Sequence, residues 1–290
     1  MKEPELLALL RTLPLHPGAL GLADDAARLG DLVLTTDVIV EGVHFLATDP
    51  PADVAWKLVA VNLSDLAAKG ATPEGVMLGF PLSDDTWDRA FVEGLREALS
   101  TFACPLLGGD TVRGPRVLSL TAIGVAKHAP TRSGARPGDA LWVTGTIGDA
   151  GAGLVIAQGK PGPDSLLSRY RRPIPRLAEG RALAPHVHAM MDVSDGLLLD
   201  AARLAEASGC AVTIQLDAVP ISDDARAFGV DVMTAATAGD DYELLFALPP
   251  DTAPPVPATR VGTFGAGKGL TLAKGSVAVP LPERLGFTHG

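Results

Sequence analysis

The chain has 290 residues, 47% of them hydrophobic and only 4% aromatic, with a formal net charge of -10 at pH 7. That length exceeds a usual single core and makes two domains the starting expectation, while the acidic balance and scarcity of rings exclude a nucleic-acid groove, which needs a basic stripe and stacking platforms. Apolar runs such as Leu197-Leu198-Leu199 and Ala211-Val212 fall far short of the roughly 18 residues of a membrane span, and no basic segment with an apolar core opens the sequence, so a cytoplasmic protein without a secretory signal is expected.

In chain order, GLADDAA at 21–27 is a break carrying Asp24 and Asp25, and a strand-like run over 32–40 follows. Within it, LTTDVIVEGVHF at 34–45 sets Asp37 among β-branched residues. Aspartate is disfavoured there by propensity and costly to bury, so it is either a strand end facing water or a group that something else compensates. Recurrence of apolar residues at three and four predicts helices over 52–69 and 86–103, and strands are expected at 75–80 and 117–126. The turn formers of TRSGARPGD at 131–139 mark a boundary, after which a strand opens at Ala140 and runs to Thr144. Beyond it a glycine-rich turn leads into a helix near 150–158, a helix follows Asp195-Gly196, and strands are expected at 211–216, 243–248, 258–263 and 269–273. PPDTAPPVP at 249–257 reads as a stiff surface connector. Cys104 and Cys210 lack C-x-x-C spacing and read as buried thiols.

Several further aspartates share the setting of a polar or glycine-flanked break beside an apolar element. They are Asp65 in VNLSDLAAKGA, Asp110 in LLGGDTVRG, Asp192 and Asp195 in MDVSDGLLLD, and Asp240 and Asp241 in AGDDYELLF. Singly, each reads as a turn or helix cap. Two carboxylates meeting at about 4 Å would repel by about 4 kcal/mol at an effective dielectric near 20, so a shared site would need cations. Oxygen donors of this kind suit Mg²⁺ held together with substrate phosphates. Two other motifs carry less. Gly262 to Gly269 fits seven positions of a P-loop but has Gly269 where the hydroxyl residue belongs and a strand-like run after it, which predicts a β-turn. His186-Val187-His188 has no third nitrogen or sulfur ligand at a usual spacing and reads as a solvated loop.

In order, GLADDAARL, LTTDVIVEGVHF, VNLSDLAAKGATP, LGGDTVRG, RSGARPGD, VTGTIGDAGAGL, RPIPR, MDVSDGLLLD and GDDYELLF resemble the consecutive motifs of the thiamine-monophosphate kinase family, from about residue 20 to 248. Related families are aminoimidazole ribonucleotide synthetase, selenophosphate synthetase and a hydrogenase maturation protein. The second needs an early reactive cysteine, which is missing before Cys104, and the third ends in a cysteine where this chain ends Thr288-His289-Gly290. The resemblance implies an α+β fold of two mixed α/β domains, 1–135 and 136–290, with N-terminal strands forming a barrel across a homodimer. It implies ATP-dependent phosphorylation of thiamine monophosphate to thiamine diphosphate by direct in-line transfer, with several Mg²⁺ ions, ATP as co-substrate and no catalytic general base. Alternatives are another ATP-dependent enzyme of the superfamily, or a nucleotide-binding regulatory protein without turnover.

Carried over residue by residue, the resemblance makes Asp25, Thr35, Thr36, Asp37, Asp65, Asp110, Asp192 and Asp195 metal ligands. It makes Gly109, Asp110, Arg132 and Ser194 ATP contacts, and His44, Asp240 and Phe287 contacts to thiamine monophosphate. The sequence departs from the family at Ala23, where a glycine is usual, at Asp240, one carbon shorter than the usual acid, and after Phe287, where the aromatic end is shortened. The shorter acid loses roughly 1.5 Å of reach, so water-mediated or loop-adjusted recognition is expected there.

Overall fold

The computed structural model describes residues 3–288. They open with a helix, α1 (Glu3–Leu10), and the strands β1 (Ala27–Leu29) and β2 (Leu32–Val40). Side chains alternate across β2, so Asp37 shares the inward face with the buried Val33, Thr35 and Ile39. It is therefore a mid-strand aspartate turned toward the interior, and not a strand end facing water. The domain continues with α2 (Pro51–Ala68), β3 (Thr72–Leu82), α3 (Asp85–Thr101), β4 (Leu106–Arg113) and β5 (Val117–Val125). Its sheet runs β1-β2-β5-β3-β4, antiparallel except for the parallel pair of β3 and β4. In the single chain this sheet is open, with β1 and β4 as its edges.

Helices α2 and α3 cover one face of the sheet. Asp84 caps α3 by accepting the Trp87 N–H at 2.9 Å, a favoured way to satisfy a first-turn donor. Leu58, Leu63 and Leu66 of α2 pack with Val33, Leu118 and Phe91 without residual exposure, each worth roughly 1.5–3 kcal/mol against leaving it in water. The other side of α2 meets the second domain. Ala67 and Ala68 pack on Leu183, Met190 and Phe246, and this double burial explains why α2 is apolar nearly all round. A Cβ on Gly180 would meet the Ala67 carbonyl oxygen at 2.0 Å, so glycine is what permits that approach.

The second domain contains β6 (Ala140–Val143), α4 (Asp149–Ala157), α5 (Asp164–Arg171), α6 (Leu177–Leu183), β7 (Ala189–Asp192), α7 (Leu197–Ser208) and β8 (Ala211–Gln215). It ends with α8 (Asp223–Phe228), α9 (Val232–Thr237), β9 (Leu244–Leu248), β10 (Thr259–Gly265), β11 (Gly269–Lys274) and β12 (Val277–Val279). The sheet order is β12-β11-β8-β10-β6-β9-β7. Polar links cross the domain boundary beside the apolar ones: Trp56 Nε1 donates to the Pro173 carbonyl at 2.9 Å, and buried Asp49 accepts from the Tyr170 hydroxyl at 2.9 Å and Arg171 Nε at 3.0 Å.

The expected helices and strands are present to within a few residues at their ends. One segment differs: LLGGDTVR, expected as a break, is strand β4. Its Gly-Gly-Asp centre has poor strand propensity, and parallel pairing with β3 overrides it. Gly262–Gly269 forms the end of β10, a bend at 266–268 and the start of β11, as the absent helix predicted. Cys104 and Cys210 are free and buried, and burial pushes the Cys104 thiol up to about 11.

Candidate active site

A cavity of about 1140 Å³ opens where the two domains meet. β2 contributes Thr35, Thr36 and Asp37, and α2 contributes Asp65. Asn62, one turn before Asp65, accepts the Asp37 backbone N–H on its side-chain oxygen at 3.0 Å and so fixes strand against helix. From the second domain, Asp192 ends β7, and Ser194 and Asp195 occupy the turn into α7. Asp25 reaches the same space from the loop before β1.

The acidic side chains raise one another's proton affinity. Burial, then Asp25 and Asp195, pushes Asp37 from 3.8 up to about 6. Burial, then Asp25 above the other charges, takes Asp192 up to about 8, although the Ser64 hydroxyl donates to it at 2.5 Å. Asp65 is pushed well above the usual carboxylate range by burial and by Asp37, Asp192 and Asp25, while the Thr35 hydroxyl donates to it. Asp25 goes the other way: burial opposes its ionisation, but Lys69 and Arg132 outweigh burial and hold it at about 2. Lys69, itself buried, pairs with both Asp24 and Asp25. The group facing the cavity is thus a crowded set of carboxyl oxygens that repel one another when ionised, chemistry suited to a hard cation and phosphates. Among the described residues no three His, Cys, Asp or Glu side chains are gathered closely enough to hold a metal ion by themselves.

Arg132 pairs with Asp25 and lines the cavity. Its buried Nε has no hydrogen-bond partner among the described residues, a donor for which an anion is the natural complement. The turn carrying Ser194 and Asp195 is organised from beneath by Asp200. One carboxylate oxygen of Asp200 accepts the backbone N–H groups of Ser194, Asp195 and Gly196 at 3.1, 3.0 and 3.2 Å, and the other receives Arg203 at 3.0 Å. Phe287 lines the cavity, 44% exposed, with its backbone N–H bonded to the Asp195 carbonyl at 2.9 Å.

His44 and Asp240 line the same cavity. The Val40 N–H donates to His44 Nδ1 at 3.0 Å, which places the proton of the neutral ring on Nε2. Asp240 is held by the Lys57 ammonium at 2.7 Å on one oxygen and by the Tyr242 hydroxyl at 3.1 Å on the other.

Gly109 and Asp110 do not join this group. They lie on β4, exposed at the edge of the sheet and outside the cavity lining, and the Asp110 carboxylate accepts the N–H of Thr111 at 2.9 Å. Asp241 serves the fold: it accepts the Gly148 N–H at 2.8 Å and the Ala150 N–H at 3.4 Å, filling the helix start that the glycine-rich turn creates. His188 is not fully solvated, since its Nδ1 sits 2.8 Å from Asp139. Sequence reasoning missed Lys57, Lys69, Asp200 and Arg203. A lysine inside the apolar run of α2 was the signal for Lys57; the others announce themselves only once the chain is folded.

Two α/β domains that enclose an acidic cleft define the class, and a family model for AIR synthase related proteins matches it, the N-terminal domain over residues 23–126 and the C-terminal domain over 136–272. The chain is 42% identical to thiamine-monophosphate kinase of Caulobacter vibrioides, covering 94% of this chain and 86% of the relative. It is 41% identical to that of Salmonella typhimurium, covering 79% and 76%. A solved structure described as AaThiL complexed with AMPPCP and TMP superposes with a TM-score of 0.88 at 30% identity, covering 100% of this chain and 97% of that one. The chain belongs to the thiamine-monophosphate kinase family.

Proposed function

We propose that the chain transfers the γ-phosphoryl group of ATP to the phosphate of thiamine monophosphate, giving thiamine diphosphate and ADP. The observation that carries this reading is the cavity itself, whose lining joins an oxygen-rich acidic cluster and Arg132, with its unpartnered Nε, to His44 and Asp240. The family and the likeness to a structure complexed with AMPPCP and TMP support it.

Asp25, Thr35, Thr36, Asp37, Asp65, Asp192 and Asp195 would hold Mg²⁺. When bound, Mg²⁺ supplies neutralisation of phosphate and transition-state charge. The chain's own part is positioning. Arg132 offers a planar fork to the polyphosphate, Ser194 stands on the turn fixed by Asp200, and Phe287 offers a ring face. The acceptor phosphate has its second pKa near 6 and is largely ionised at neutral pH, so the transfer needs no general base. His44, with its proton on Nε2, orients the acceptor and takes no proton.

The domains divide at 135/136. The protein works as a homodimer in the cytoplasm, and no helix of the described residues is long and apolar enough to cross a membrane. Support for the dimer comes from the open sheet, whose edge strand β4 leaves Leu107 and Val112 exposed, with Met77 exposed beside them on β3. A barrel across two chains would cover them, and would carry Gly109 and Asp110 to the seam between the chains. The test of the function is formation of thiamine diphosphate from ATP and thiamine monophosphate with Mg²⁺; no product with an intact, folded protein would refute it.

A further inference from the structure

Lys57 lies in the run Trp56-Lys57-Leu58-Val59-Ala60 of α2, where it is the one charge. Its side chain is 3% exposed, and an ammonium in that position needs complete pairing. The pairing is complete: Nζ donates to Asp240 at 2.7 Å and to the His44 carbonyl at 2.9 Å, and the Tyr170 ring centroid lies 4.2 Å away. Lys57 and His44 belong to the first domain, Asp240 and Tyr170 to the second. Asp240 and Tyr242 both have positive φ, 69° and 51°, a conformation that costs a non-glycine residue energy and persists where surrounding contacts enforce it. The Asp240 side chain is still 29% exposed, so it keeps lone pairs for a ligand in the cavity.

We propose that Lys57 is the positioning residue of the acceptor end. By gripping Asp240 and the His44 carbonyl at once, it sets the separation of the two side chains, one from each domain, that meet thiamine monophosphate. This rests on the reading of His44 and Asp240 as acceptor contacts. Asp240 then acts as a paired carboxylate fixed at one point, so the acceptor is chosen by hydrogen-bond geometry and not by attraction to a free anion.

Lys57→Met in the full-length protein keeps the apolar stem and removes the ammonium. The KM for thiamine monophosphate should rise at least about tenfold, while the Kd of a non-hydrolysable ATP analogue stays within about twofold and kcat within about threefold, a split that general loosening of the fold would not produce. The double variant Lys57→Met/Asp240→Ala should lose clearly less in acceptor KM than the product of the two single effects, because both substitutions break the same pair. Equal losses for acceptor and ATP analogue, or a double-variant effect equal to the product of the single effects, would overturn the proposal. If Lys57→Met does not fold, Lys57→Arg serves: its wider planar head cannot take the same point between three partners, and an unchanged acceptor KM would overturn the proposal equally. Wild-type turnover is measured first. An inactive wild type overturns the function and the acceptor assignment together, whereas an active wild type with an unaffected Lys57 variant overturns the positioning role alone.

Discussion

Replacing Asp37 by asparagine should make the metal-free protein more stable and the enzyme nearly inactive. In the fold Asp37 is raised from 3.8 to about 6, a difference of about two units, or ~3 kcal/mol at 1.36 kcal/mol per unit. That is the cost to the native state of carrying the charge near neutral pH. Asp37 is only half-buried, and cavity water screens part of the repulsion, so about 1–2 kcal/mol should be recovered. For a chain of this size 1 kcal/mol corresponds to about 2–4 °C in Tm, which predicts a rise of about 2–8 °C in thermal melts at pH 7.5 in the presence of a chelator. Turnover should fall at least about 100-fold, as when a group that stabilises transition-state charge is lost. The added Tm on binding Mg²⁺ with an ATP analogue should shrink as well. A metal-free Asp37→Asn that melts below the wild type, or that keeps more than a tenth of its activity, would refute the reasoning.

The pH dependence of stability follows from the same carboxylates. Asp37 at about 6 and Asp192 at about 8 are both raised above 3.8, first by burial and then by neighbouring carboxylates, so the native state holds more protons than the unfolded chain between about pH 4 and 8 and metal-free stability should fall as pH rises through that window; melts at pH 5, 6.5 and 8 that rise or stay level would contradict this. Asp200→Ala strands the backbone N–H groups of Ser194, Asp195 and Gly196 and leaves Arg203 with Asp195 alone, and should cost about 3–5 kcal/mol by denaturant unfolding while weakening ATP-analogue binding. His44→Asn should raise the acceptor KM without removing any step from the pH–rate profile, since His44 takes no proton; loss of a wild-type step in the variant would reverse that view. Val112→Glu at the exposed edge strand should shift the protein from dimer to monomer in analytical ultracentrifugation, and a monomeric wild type would end the dimer reading.

Local chemistry determined much of this protein in advance. The period of 3.6 in α3 and the alternation of β2 and β5 were legible because burial on one face imprints itself on a single segment, and α2 was legible as a long apolar run because both its sides are buried. The oxygen-only character of the site was legible too, because carboxylates at strand ends and glycine-flanked turns are residue types in fixed places. What those carboxylates do was decided in three dimensions. Asp37, Asp65 and Asp192 come from separate segments, yet they share one cavity, whereas Asp110, in an equally suggestive motif, stands on an exposed edge. Asp241 resembled its neighbour Asp240 in sequence and became the cap of α4. Lys57 and Asp240, 183 positions apart, form their pair only because α2 is buried between two domains. Pairing of buried charges depends on which distant segments meet, and a local pattern holds no record of that.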